Sequence, residues 1–142
     1  ATVLFETLIL PDLKQVIKRD STVSREAGIL ATEISKYIGE EITRAYIDIK
    51  EQQASENILI IYELTNRVQA EQLFTEVSGT GNEILFFKPD EQISIPVFNS
   101  SFKGFTKAIL PKFAPGFEEL YFTFYDNFMI TGSSYATISK LL

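Results

Sequence analysis

Tyr121-Phe122-Thr123-Phe124-Tyr125-Asp126-Asn127-Phe128-Met129-Ile130-Thr131-Gly132-Ser133-Ser134 is the stretch on which the fold turns. Two runs of aromatic and apolar residues flank the link Asp126-Asn127. Both link residues tolerate positive φ, so the spacing predicts a two-residue hairpin with a type I′ turn. Gly132-Ser133-Ser134 then predicts the cap of a last helix that buries Ile138, Leu141 and Leu142.

Outward from this unit the same order recurs. Glu41 to Lys50 alternates, with Thr43, Ala45, Ile47 and Ile49 as the expected core set. Asn57 to Leu64 is greasy on both faces and is expected at the centre of a sheet. Asn66 to Gln69 has the form of a capping box, followed by Ala70, Leu73, Phe74 and Val77 at helical spacing and by the terminators Gly79 and Gly81. Glu83 to Lys88 and Gln92 to Phe98 read as a strand pair around the turn Lys88-Pro89-Asp90-Glu91, and Pro96 places the second strand at an edge or bulge. Ser101 would cap a helix carrying Phe102, Phe105 and Ile109, ahead of a loop over 110–117. The N-terminal part predicts a strand from Val3 to Leu10, a short helix after Pro11 with Leu13, Val16 and Ile17, and a helix from Ser24 to Ile38 that Gly39 stops. Strand–strand–helix thus occurs three times, over 41–77, 83–110 and 119–142. The expected architecture is α+β: one domain over 1–142, an antiparallel sheet with its helices packed on one face.

Composition narrows the chemistry. The chain has 142 residues, with 45% apolar and 23% charged residues, which is ordinary for a globular domain. It contains no His and no Cys, which excludes imidazole catalysis, Ser-His-Asp triads, thiolate nucleophiles, disulfides and His- or Cys-ligated metals. A net charge of −6 gives no basic field for nucleic acid. No run approaches the length of a membrane-spanning helix; the longest compact apolar stretch is Ile58 to Tyr62. The first residues lack a basic n-region and carry Glu6 within their apolar part, so they do not form an intact signal peptide. The chain starts with Ala, and its last predicted helix runs to the final residue, so it reads as part of a longer protein.

The segment Tyr121 to Ser134 with the helix that begins near Tyr135 resembles a signature of a domain-of-unknown-function family of large exported Bacteroidetes envelope proteins. Ile38-Gly39-Glu40-Glu41-Ile42 and the link from Ile60 to Ala70 resemble the same pattern more loosely. The resemblance implies an exported periplasmic or cell-surface protein, often a lipoprotein anchored through a preceding N-terminal segment. The partners it implies are other domains of the same chain or an envelope protein. It implies no catalytic residues and no cofactor. Asp20-Ser21-Thr22 matches the pattern on which such proteins resemble O-glycosylation substrates, with Ser21 as acceptor; capping of the next helix is the plainer reading.

Other constellations reduce to structure. Glu40-Glu41, Asp90-Glu91 and Glu118-Glu119 are sequence neighbours whose side chains diverge in extended backbone, whereas glycosidic chemistry needs convergent carboxyls. Gly79-Thr80-Gly81 follows a helix and precedes a strand, the reverse of a phosphate cradle. Asp126-Asn127 is too short for a calcium loop, and Asn99-Ser100-Ser101 reads as loop and cap. Ser35-Lys36 and Ser139-Lys140 lack catalytic Ser-x-x-Lys spacing. The aromatics carry more information, with 12 Phe and 6 Tyr. Tyr121 and Tyr125 share a strand face with Thr123, and one face of that hairpin must meet solvent or another domain. The expected function is a non-enzymatic structural or interaction module. The alternative is a small-ligand or glycan-binding domain that uses Tyr46, Tyr62, Tyr121 or Tyr125.

Overall fold

The computed structural model describes residues 3–9, 33–78, 84–99, 117–118 and 120–142. Seven strands form one sheet: β1 (Val3–Ile9), β2 (Ile38–Ile47), β3 (Ile58–Leu64), β4 (Ile84–Phe87), β5 (Ile95–Asn99), β6 (Tyr121–Tyr125) and β7 (Phe128–Gly132). The helices are α1 (Arg67–Ser78) and α2 (Tyr135–Leu141), and a 3-10 turn, Ala54–Asn57, leads into β3. The strand order is β1-β2-β3-β7-β6-β5-β4, and every neighbouring pair is antiparallel. The chain is therefore α+β around an antiparallel sheet. The short helix after Pro11, the first turns of the helix from Ser24, Gly79, Gly81 and the helix from Ser101 lie outside the described residues.

β3 is an interior strand, third in the order between β2 and β7, and Leu59, Ile60, Tyr62 and Leu64 are buried along it. A strand apolar on both faces needs cover on both, and that requirement places the helices. Phe74 of α1 packs its ring 5.3 Å from Phe122 and 6.1 Å from Phe124. Ile138 of α2 packs instead with Ala45, Ile47, Leu59, Val97 and Ile130. Ile130 lies opposite Thr123, which alternates with Phe122 and Phe124 along β6. The two helices consequently cover opposite faces, not the single face expected from strand–strand–helix order. Each buried Phe or Ile contributes about 1.5–3 kcal/mol of transfer free energy, so neither face could stay bare cheaply.

Local signals were met or overridden one by one. Asn66 Oδ1 accepts the Gln69 backbone N–H at 3.2 Å, the N-cap bond that the capping-box spacing requires. Gly39 does not stop a helix. Glu33 and Ile34 are helical, residues 35–37 turn, and Ile38 already pairs with Leu64. A register irregularity separates Ile38 from Ile42, and Gly39 sits there with Glu63 at its side. Pro96 lies within an interior strand, where it shortens a ladder: β5 and β6 pair only at Phe98–Phe122 and Asn99–Tyr121. The Pro96 carbonyl still turns toward β6, where it accepts the Thr123 hydroxyl at 2.7 Å.

The β6–β7 hairpin has the expected two-residue link, with Tyr125 opposite Phe128. Among the described non-glycine residues, Asp126 has positive φ, 54°, and Asn127 does not, so the type I′ turn, which needs both, is not the one that forms. The turn is held from outside. Leu64 N–H donates to the Asn127 carbonyl at 2.7 Å, and Arg67 Nη1 donates to the Asp126 carbonyl at 2.9 Å. Gly132 is required by close approach: a Cβ there would stand 2.7 Å from Leu59 Cδ2 and 3.4 Å from Ile138 Cγ1.

Candidate functional site

The four tyrosines singled out by composition do not form one platform. The ladders put Tyr46 and Tyr62 on the α1 face and Tyr121 and Tyr125 on the α2 face. Tyr62 is fully buried, so it is a core residue and not part of a binding surface. Its place opposite both Ile42 and Met129, in the middle of the sheet, leaves no route to solvent. Tyr46 is half-buried, with its hydroxyl 3.4 Å from Asn57 Nδ2. Tyr121 is half-buried and meets the Tyr135 ring edge-on at 6.4 Å. Tyr125 alone of the four is exposed, at 55%. Ser21 lies outside the described residues.

Tyr125 borders a groove of about 600 Å³ lined by Thr43, Ile61, Phe128, Ile130, Leu141 and Leu142. The sheet sets its floor, because Thr43, Ile61 and Ile130 are successive ladder partners across β2, β3 and β7. Tyr125 and Phe128, paired at the hairpin tip, wall one end, and Leu141 and Leu142 wall the other. α2 packs Ile138 beside the Gly132 end of β7, and Leu141 and Leu142 reach the groove. The lining is apolar, with hydroxyls from Thr43 and Tyr125, so it suits an apolar or aromatic group with one or two polar handles. Sequence reading pointed to Tyr125 but missed Phe128, Leu141 and Leu142. The sequence places them in the hairpin and the core, and only the tertiary arrangement brings them to one groove.

A second polar constellation joins the loop before β3 to α2. Gln52 Nε2 donates to Ser134 Oγ at 2.7 Å, and Ser133 Oγ donates to the Ser55 carbonyl at 3.2 Å. Thr137 Oγ1 lies 2.7 Å from the Glu56 carbonyl and 3.0 Å from Gln52 Oε1. Ser134 stands at the N-cap of α2 with extended backbone, yet its hydroxyl is turned to Gln52 and makes no capping bond. These amides and hydroxyls satisfy one another and pin α2 to the sheet. Asn57 Nδ2 reaches the Ile49 carbonyl at 3.3 Å, while its Oδ1 is buried without a hydrogen-bond partner. Among the described residues no helix is long and apolar enough to cross a membrane. In comparisons with protein-family models, curated proteins and solved structures, no match to this chain was found.

Proposed function

We propose that this chain is a non-enzymatic structural or interaction module of an exported bacterial envelope protein, periplasmic or cell-surface. Its groove beside Tyr125 and Phe128 receives an apolar side chain from another domain of the same protein or from an envelope partner. The observation that carries this reading is the aromatic pair at the hairpin tip, Tyr125 55% and Phe128 36% exposed, on the rim of an apolar groove. The absence of His and Cys from the sequence and the resemblance of Tyr121–Ser134 to an exported Bacteroidetes family support it. The strand–strand–helix rhythm over 41–77, 83–110 and 119–142 belongs to the same proposal. A lipid anchor would lie N-terminal to this segment. The test places a single thiol at Phe128→Cys, both in this chain alone and in the full-length native protein. Slower maleimide labelling in the longer protein is expected; equal rates would sink the reading.

The second reading is a small-ligand or glycan-binding domain, favoured by the exposed ring of Tyr125 and the hydroxyls at the groove. Sugars stack on aromatic faces and need hydroxyl partners at the edge. Thermal-shift screening with an oligosaccharide panel would show stabilisation of the native chain that Tyr125→Ala removes. No shift across the panel would count against it.

A further inference from the structure

Among the described residues β4 ends the sheet, and no strand pairs with its outer edge. Three of the six large apolar side chains that are exposed among the described residues lie on β4 or just after it: Leu85 at 38%, Phe86 at 58% and Ile93 at 49%. The direction of the backbone groups follows from Pro96. Its carbonyl points to β6, where Thr123 donates to it. In an antiparallel ladder a residue's N–H and C=O point the same way and alternate from one residue to the next. Phe86 lies opposite Pro96, so its own N–H and C=O point away from β5, into the free edge. Those of Lys88 and Ile84 point with them.

We infer that β4 pairs antiparallel with β4 of a second copy of this chain, about a two-fold axis that sets Phe86 opposite Phe86 of the other copy. Two-fold pairing of antiparallel strands keeps each sheet face on one side, so opposed residues must share a face. A register centred on Phe86 uses the outward groups of Ile84, Phe86 and Lys88. It sets Phe86 against its equivalent on one face and Leu85 against Phe87 twice on the other. A register centred on Leu85 engages only Ile84 and Phe86. The occupant must be apolar on both faces to cover Leu85 and Phe86 together, and Ile84-Leu85-Phe86-Phe87 is such a segment with no charge inside it. Pro89 ends the pairing, so the interface is short and its dimer concentration-dependent. With a charge of −6 on each copy, added salt strengthens it.

Sedimentation velocity over a concentration series is expected to show a monomer–dimer equilibrium that shifts to dimer with salt. Phe86→Lys and Phe86→Glu are each monomeric alone, and an equimolar mixture restores the dimer, because only a residue on the two-fold axis faces its own equivalent. Since the native chain has no Cys, Phe86→Cys adds one thiol, and opposed Cα atoms about 5.5 Å apart lie within disulfide reach. Oxidation should cross-link Phe86→Cys at least roughly tenfold faster than Leu85→Cys, whose side chain faces Phe87 of the other copy. A monomer at every concentration, dissociation by salt, or faster cross-linking at position 85 than at 86 would overturn the proposal. The cross-linking comparison decides the matter even if the charged variants fail to fold.

Discussion

Phe122 of β6 and Phe86 of β4 point to the same face of one sheet, with β5 between them, yet Phe122 is 1% exposed and Phe86 58%. Phe122 is enclosed by Phe74 of α1, by Phe124 at 6.0 Å, and by Phe98, whose ring stacks on it at 5.2 Å. Among the described residues the aromatic cluster stops there. Both hairpins are aromatic-apolar runs around a turn, and local sequence does not separate them. What separates them is strand order, with β6 against Phe74 of α1 and β4 last in the sheet, and the truncated β5–β6 ladder at Pro96. On this face Phe122 of the inner hairpin is core and Phe86 of the outer one is surface.

The sharpest way to break that contrast is Phe122→Ala. Removing a fully buried ring from between Phe74 and Phe98 should cost about 3–5 kcal/mol, read as a lowered midpoint in chemical denaturation. A loss below about 1 kcal/mol would mean that the inner hairpin is not the packed half of the sheet. Next comes Gly132→Ala, on the other face. The added methyl meets Leu59 Cδ2, and Leu59 is itself fully buried and has little room to turn. Overpacking there should cost about 1–3 kcal/mol, and Gly132→Val more. A neutral Gly132→Ala would show that α2 yields and is only loosely seated. Thr123→Val then tests the seam between the hairpins. It keeps the shape but removes the hydroxyl that serves the Pro96 carbonyl, for an expected cost of about 1 kcal/mol.

These residues also show what was legible in advance. The apolar run Ile58–Leu64, the Asn66 cap and the Asp126-Asn127 link each carry their signal within a few residues, and each forms the strand, helix start or hairpin it implies. The pairing of β3 with β7 joins Leu59 to Gly132, and nothing local encodes a partner so far along the chain. Faces were lost for the same reason. Tyr62 and Tyr125 are both amphipathic rings on strands, and only the position of their strands, central against hairpin tip, buries one and exposes the other. Gly39 was read by its commonest helical role. A tertiary pairing, Ile38 with Leu64, ends the helix earlier and takes the glycine into a strand. The groove was least legible, because its lining comes from β2, β3, β6, β7 and the end of α2 and belongs to no single motif.

The smallest expected effect is the other half of the opening contrast. Phe86→Ala, measured at low protein concentration, should change stability by no more than about 0.5 kcal/mol, because more than half of the side chain already meets water. The ratio between the two Phe→Ala costs then reads how sharply the core ends at β5. If Phe86→Ala costs as much as Phe122→Ala, the aromatic cluster extends through β4, and the edge is not free to pair. If its cost is small at dilution but grows as protein concentration rises, the difference belongs to association. The same substitution would then separate what Phe86 does for the fold from what it does between copies.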